Sequence, residues 1–309
     1  MRAAVYDSFT DTPEAPGAIE VRELPEPHLG PGSVLVEVRA AGVNPVDWKL
    51  VTGGLGAVME SVFPVVPGWD VAGVVVGVGM DTPEFSIGDE VMAYARKDVV
   101  HAGTFAERVA VPAWSVARKP SALSWEQAGG LPLAGGTALR TLDVLGVRAG
   151  DTVLVHAAAG GVGALAVQIA AARGARVIGT ASARNHDHLT ALGAEPVEYG
   201  DGLVAAVREL APEGVHAVAD LVGGQLETTL SVLAPGGRHA SIADPSVTEH
   251  GGVHVWVRPD GRETARLGEL AAAGLLSVEV AGTYGLDQVG EAFAESRSGH
   301  VRGKLVIVP

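Results

Sequence analysis

The chain has 309 residues, no cysteine, 47% hydrophobic residues and a formal net charge of −14. This composition excludes a disordered protein, and the length favours two domains because one core stops growing near about 250–300 residues. The acidic balance argues against a nucleic-acid partner, and the lack of cysteine excludes disulfides and thiolate chemistry. The chain opens with an alternating, strand-like segment instead of a leader, so we expect a cytoplasmic protein.

The first part of the chain, residues 1–120, predicts a small β-rich domain. Its short apolar runs are separated by the Pro, Gly and Asp residues that mark turns. From residue 121 onward, strands and helices alternate, which is typical of a doubly wound parallel sheet. Ser124 and Gln127 have the spacing of a capping box and predict the start of the first helix. The strands are predicted at 34–38, 73–78, 90–93, 153–156, 176–180, 217–221 and 238–243.

The segment after residue 257 predicts two helices and two strands. Two strands are too few for another domain, so we expect them to complete the first one. The predicted organisation is therefore a first domain of residues 1–120 and 258–309 and a second domain of residues 121–257. The helices of this segment are predicted at 263–273 and 288–296, and its strands at 278–281 and 304–308.

Residues 152–172 contain no charged residue, and the segment is long enough to cross a bilayer at about 20 residues. Gly160, Gly161 and Gly163 lie in its middle, between a β-branched run and an alanine-rich run. A strand, a turn and a helix explain this order better than a membrane span does. We therefore expect no membrane association.

The same glycine turn is the strongest functional signal. Glycines between a buried strand and a helix let the backbone approach a pyrophosphate, and the free amides of the helix start favour its charge. Ala158 fills the first glycine position of the usual GxGxxG pattern, and a tight turn can need glycine for steric reasons alone. In this strand–turn–helix context, nucleotide binding is the favoured interpretation.

The end of the following strand indicates which nucleotide is bound. An NAD site normally has an acidic residue there, which binds the ribose hydroxyls. Here the strand RVIGT is followed by Ala181, Ser182, Ala183 and Arg184, with no carboxylate. A hydroxyl and a guanidinium suit the 2′-phosphate of NADPH, unless Arg184 is an ordinary surface arginine.

Several motifs together resemble one known family. The motif HAAAGGVG at 156–163 looks like the quinone oxidoreductase (zeta-crystallin-like) branch of the medium-chain dehydrogenase/reductase superfamily. AGVNPVDWK at 41–49 and GHVRGKLVIV at 299–308 are similar to that branch, as are PGWDVAGVV at 67–75 and DLVGG at 220–224. The resemblance implies a GroES-like catalytic domain and a Rossmann domain. It also implies a homodimer that reduces quinones, or the C=C bond of α,β-unsaturated carbonyls, with NADPH.

The resemblance also implies roles for particular residues. Gly135 and Gly136 are a departure, since the family more often has a bulkier residue before Thr137. The implied cofactor contacts are Gly160, Gly161 and Val162 at the pyrophosphate, Ser182, Arg184 and Tyr199 at the 2′-phosphate, Thr137, Val222 and Ala243 near the nicotinamide, and Arg302 and Lys304 from the last segment.

Zinc-dependent relatives have a cysteine where Asn44 stands and a Gly-His-Glu motif where Gly68-Trp69-Asp70 stands. Neither ligand type is present, so we expect no metal. Asn44 is a candidate catalytic donor to the substrate oxygen, or a structural residue before Pro45. Lys49 is a candidate for placing positive charge near that oxygen, or a solvated side chain.

Three classes of function compete. The favoured one is a zinc-independent NADPH oxidoreductase, and the missing ligands disfavour a zinc-type alcohol dehydrogenase. The third class is a nucleotide-binding protein with a sensing or interaction role, because fold alone does not establish catalysis. For assembly, residues 252–257 predict an edge strand with Val253, Val255 and Val257 on one face. Similar reductases join through this edge into a twelve-stranded sheet, which implies a homodimer.

Overall fold

A computed structural model describes all 309 residues, and the chain divides into two compact units. The first consists of Met1–Leu133 and Arg258–Pro309, and the second of Ala134–Val257. The predicted boundary between the two domains, at residues 120 and 121, stays a prediction.

The strands and helices are numbered along the chain. The strands are β1 (Arg2–Val5), β2 (Glu20–Glu23), β3 (Ser33–Val43), β4 (Ser61–Val66), β5 (Asp70–Val78), β6 (Glu90–Tyr94), β7 (Val100–Ala102), β8 (Arg108–Pro112), β9 (Val116–Arg118), β10 (Thr152–Val155), β11 (Arg176–Thr180), β12 (Ala194–Val197), β13 (Val215–Asp220), β14 (Leu233–Ser241), β15 (Val253–His254), β16 (Val280–Tyr284) and β17 (Lys304–Ile307). The helices are α1 (Pro45–Val51), α2 (Trp125–Gly130), α3 (Pro132–Val144), α4 (Gly163–Ala172), α5 (His186–Ala191), α6 (Leu203–Leu210), α7 (Leu226–Val232), α8 (Gly261–Ala272) and α9 (Val289–Arg297).

The first unit is built on a seven-stranded sheet. Its order is β16-β17-β3-β5-β6-β9, and β8 also pairs with β3. In β3, buried Val34, Val36 and Val38 alternate with less buried residues, so one face of the strand lies in the core. The last strands pair into this sheet through β17 and β3. Two further two-stranded sheets, β1-β2 and β4-β7, complete the unit.

The second unit is a six-stranded parallel sheet of order β12-β11-β10-β13-β14-β15. Its first strand, β10, lies in the middle between β11 and β13, so the strand order reverses there. This is the doubly wound Rossmann arrangement, in which ligands bind beyond the carboxyl ends of the strands at the reversal. The predicted fold class, a β-rich unit with a Rossmann unit, is confirmed.

The predicted capping box and the predicted strand, turn and helix of the uncharged segment are also confirmed. Ser124 and Gln127 form the capping box, with Gln127 N–H donating to Ser124 Oγ at 3.2 Å. The uncharged segment folds as β10, a glycine turn and α4. No helix of the structure combines the length and the apolar character that a bilayer crossing needs.

The predicted strand over 252–257 is shorter than expected. Only Val253 and His254 pair with β14, because β14 ends at Ser241 and offers no partner to the residues beyond. Val253 is 42% exposed whereas Val255 is 5% exposed, so the expected common face of these valines is wrong. The edge position of β15 in its sheet is confirmed.

Candidate active site

The first unit contains a buried polar cluster where β3 ends and α1 begins. Asn44 Nδ2 donates to Asp70 Oδ2 at 2.9 Å, and Lys304 Nζ donates to Asn44 Oδ1 at 2.5 Å. Lys304 Nζ also donates to the carbonyl of Val43 at 2.9 Å. The side chains of β5 and β17 thus hold the residue that precedes α1.

The two carboxylates of this cluster are bonded to backbone amides. Asp47 Oδ2 accepts from Asn44 N–H at 2.7 Å, and Asp70 Oδ1 accepts from Leu133 N–H at 2.7 Å. Asp47 and Asp70 are fully buried, and Lys304 is 5% exposed. The cluster is therefore isolated from bulk water. In such a buried site, an unpaired charge would be costly.

Burial dominates the electrostatics of the cluster. It raises the pKa of Asp47 to about 8, against the opposing hydrogen bond from Asn44, and raises the pKa of Asp70 to about 6, against the attraction of Lys304. Burial also lowers the pKa of Lys304, while the two carboxylates oppose that shift. The cluster can therefore hold a proton near neutral pH.

These contacts favour one of the two roles that the sequence leaves open for Asn44. Its side-chain oxygen and nitrogen both bond within the unit, and the residue is 2% exposed. Because both ends of the Asn44 side-chain amide are hydrogen-bonded within the unit, this amide orients its neighbours instead of donating to a substrate oxygen. Lys49 differs, since it is exposed on α1, with Nζ 5.5 Å from the centre of the Trp48 ring.

In the second unit, the glycine turn follows β10 at the reversal of the sheet. Ala157 adopts a positive φ of 53°, and its N–H donates to Thr180 Oγ1 at 3.0 Å. A Cβ added at Gly163 would lie 2.1 Å from the Ala157 carbonyl oxygen, so only glycine allows α4 to start this close to the turn. No side chain caps α4, although Ala164 N–H donates to the Gly160 carbonyl at 2.9 Å, and a helix start without a side-chain cap favours a negatively charged ligand.

The predicted 2′-phosphate residues lie at neighbouring strand ends. Thr180 at the end of β11 pairs with Val197 at the end of β12. Ser182 and Tyr199 each follow two residues later, so the register brings their segments to the same edge of the sheet. Arg184 is exposed in the turn after Ser182, and Tyr199 is 63% exposed.

A second loop at this edge is organised by Asp220, which sequence reasoning did not single out. Asp220 Oδ1 accepts from the N–H groups of Val222 and Gly223 at 3.1 and 2.8 Å. Its other oxygen accepts from Ser241 Oγ at 2.8 Å, and Ser241 Oγ accepts from Ala243 N–H at 3.2 Å. The structure thus brings together the predicted positions Val222 and Ala243.

His156 is another residue that the sequence analysis did not assign. It ends the buried strand before the glycine turn, is 1% exposed, and its Nε2 has no hydrogen-bond partner. Burial lowers its pKa to about 4, although Asp220 opposes the shift. A neutral, buried imidazole therefore lies near Asp220, which organises the neighbouring loop.

The remaining predicted contacts lie in different surroundings. Thr137 is 5% exposed within α3. Arg302 and Lys304, which the sequence places together, differ: Arg302 is exposed and its Nε donates to Glu279 at 2.7 Å, whereas Lys304 belongs to the buried cluster. Their cofactor contacts stay predictions.

Comparison with known proteins gives matches over the whole chain. Two family models match, the alcohol dehydrogenase GroES-like domain at residues 30–121 and the zinc-binding dehydrogenase at residues 192–307. The chain is 31% identical to quinone-oxidoreductase QR1 of Triphysaria versicolor, with 100% of this chain and 98% of the relative covered. It is 32% identical to the NADPH-dependent alkenal/one oxidoreductase of Arabidopsis thaliana, with coverages of 100% and 80%. Among solved structures, the quinone oxidoreductase from Coxiella burnetii has a TM-score of 0.88 and 33% identity over 100% of this chain and 99% of that one.

The buried cluster does not fit the zinc ion that one family description implies. Trp69 supplies an indole, which donates a hydrogen bond but has no lone pair for a metal. The Lys304 ammonium already bonds to the Asn44 oxygen, and a second cation would be repelled. No group of three or more His, Cys, Asp or Glu side chains is arranged to hold a metal.

The raised pKa of Asp47 predicts a pH-dependent stability. Between 3.8 and about 8, the folded state holds a proton that the unfolded state releases, so the free energy of unfolding falls as pH rises through this window. Asp47→Asn keeps an acceptor for Asn44 N–H and removes this titration. Between pH 5 and pH 8, the free energy of unfolding should fall in both proteins, and we expect the fall to be smaller in the variant by at least about 1 kcal/mol.

Urea unfolding at several pH values measures this difference. Asp98→Asn is the matched control, because Asp98 is exposed and its replacement should leave the pH profile unchanged. Parallel profiles for Asp47→Asn and the wild type would contradict the assignment.

Proposed function

The chain belongs to the quinone oxidoreductase branch of the medium-chain dehydrogenase/reductase superfamily, and from this premise we propose how it works. It is an oxidoreductase that reduces quinones or the C=C bond of α,β-unsaturated carbonyls. We propose NADPH as the hydride donor and a small enone or quinone as the acceptor. The observation that carries this proposal is the uncapped glycine turn at the sheet reversal, next to a strand end without a carboxylate.

The cofactor proposal follows from charge at the edge of the Rossmann sheet. The start of α4, with Gly160, Gly161 and Val162 before it, would hold the pyrophosphate, since helix amides favour negative charge. Ser182, Arg184 and Tyr199 would hold the 2′-phosphate. A guanidinium binds phosphate through paired hydrogen bonds, which favours NADPH over NADH.

The chemistry asks little of the protein's own side chains. The bound nicotinamide would supply the hydride. The loop held by Asp220, which carries Val222, would position the ring together with Ala243 and Thr137. We propose that Lys49 contacts the substrate oxygen as it gains negative charge, and that Asn44 acts as a positioning residue for the start of α1. Water delivers the proton.

The Lys49 proposal is tested by activity. We expect consumption of NADPH with a short vinyl ketone or a benzoquinone, and a roughly 3- to 10-fold lower kcat/KM in Lys49→Gln, because an exposed charge contributes modestly. Lys49→Arg keeps the charge and serves as the control. Equal rates for Lys49→Gln and the wild type would remove Lys49 from the mechanism. Tight NADPH binding without turnover on any acceptor would instead favour a sensing or interaction role.

The preference between the two nicotinamide cofactors is a separate prediction. Arg184→Ala removes a charge-assisted contact that typically contributes about 1.5–3 kcal/mol, so the preference for NADPH should shrink by roughly 10- to 100-fold. The kcat/KM values for NADPH and NADH, measured for both proteins, give this ratio. Arg148→Ala is a matched loss of charge elsewhere in the second unit. Equal use of NADH and NADPH by the wild type would show that the 2′-phosphate assignment is wrong.

We also propose a homodimer through the edge at β15. Val253 and Trp256 are 42% and 47% exposed beside this edge. On its outer side, β15 has no neighbouring strand in the sheet. Replacement of Val255 by proline is a poor test, because Val255 N–H donates to Ser241 within the same chain at 2.9 Å.

Trp256→Glu tests this assembly more cleanly. Because a two-fold contact uses the same residue twice, we expect the mass by light scattering to drop from twice the 31.4 kDa of one chain to a single chain. Trp114→Glu is the control, since Trp114 is exposed in the first unit. A wild-type protein that is monomeric at micromolar concentration would exclude the proposal. A cytoplasmic location and the lack of nucleic-acid and membrane partners stay predictions.

A further inference from the structure

The first unit contains a cavity that the proposed reductase function does not use. Its volume is about 640 Å³, within the range typical of small-molecule sites. The walls come from the segment after β2, from β4 and β7, and from the start of β8. None of the proposed catalytic or cofactor-binding residues lines it.

The lining combines apolar side chains with two cationic ones, Lys97 and Arg108, of which Arg108 is paired with Glu26. Val62, Pro64, Val66 and Val99 are among the apolar residues. Lys97 also lines the cavity, and its Nζ donates to the carbonyl of Ala102 at 2.8 Å. A lysine ammonium has three donors, so this single acceptor leaves it incompletely paired.

No carboxylate pairs with Lys97. The one acidic residue of the lining, Glu26, lies 3.0 Å from Arg108 and is already paired. Burial lowers the pKa of Lys97 to about 8, with no opposing acidic group. A cation held in an apolar cavity without a counter-ion is costly unless an anion joins it.

Two histidines also line the same cavity. His101 lines it, and its Nδ1 donates to the carbonyl of Val62 at 2.7 Å, which leaves Nε2 available for another group. His28 lines the opposite segment and is exposed. The imidazoles add hydrogen-bonding groups to a lining that is otherwise mostly apolar.

We propose that this cavity is a binding site for a small amphipathic carboxylate, whose anionic group pairs with Lys97 and whose apolar body lies against the valines and Pro64. The carboxylate supplies the missing counter-ion, and the apolar body displaces water from the walls. Charge complementarity with Lys97 selects an anion, and the mostly apolar lining selects a molecule with an apolar body. The site is independent of the reductase reaction.

The test uses octanoate as the probe and octanol as its neutral counterpart. Calorimetric titrations are carried out on the full chain with saturating NADPH present, so that the proposed cofactor site is occupied. We expect saturable octanoate binding that is at least about 10-fold tighter than octanol binding, since charged hydrogen bonds contribute most. Lys97→Met should abolish this difference, and Lys97→Arg should retain most of it.

Two further variants make the outcome decisive. Arg39→Met removes one positive charge from an exposed residue paired with Glu37, outside the cavity, and should leave octanoate binding unchanged. Val99→Trp fills the cavity and should weaken both probes, which tests the location even if Lys97→Met fails to fold. Equal losses in Lys97→Met and Arg39→Met, unchanged binding in Val99→Trp, or no saturable octanoate binding would each overturn the proposal.

Discussion

The two side-chain hydrogen bonds of Asn44, which accepts from Lys304 and donates to Asp70, are the constraint on which the first unit's functional end depends. They join the last strand of the chain to the turn before α1 and to β5, across sequence separations of 260 and 26 residues. Removing one partner of such a buried ionic network typically costs about 3–5 kcal/mol, because a charge is left without compensation. The cluster therefore fixes where α1 begins, and with it where Lys49 lies.

The fold was largely predictable because its signals are local. The strand at 176–180 was predicted at its exact bounds, since a β-branched run between turn residues is visible in the sequence alone. The capping box at Ser124 is equally local. The strand over 252–257 was overestimated because its length depends on where β14 ends, and that information lies elsewhere in the chain.

The candidate site was only partly predictable, for the same reason. The glycine turn and the missing carboxylate after β11 lie within one short segment, so the sequence shows both. Asp220 organises its loop through Ser241, which is 21 residues away, and no local pattern marks that pair. The role of Lys304 is the clearest case: the sequence groups it with Arg302 near a cofactor, yet Lys304 opens the buried strand β17 whereas Arg302 precedes that strand and is exposed.

Charge pairing separates structural cations from candidate ligand-binding ones. Many arginines of this acidic chain already face a carboxylate, as Arg176 does with Glu195 and Arg302 does with Glu279. Their charge is compensated within the fold, so an anionic ligand gains little from them. Lys49, Lys97 and Arg184 have no such partner. An uncompensated cation is the group that an incoming phosphate, enolate oxygen or carboxylate can pair with, which is why these three positions are the ones that we propose for anion recognition.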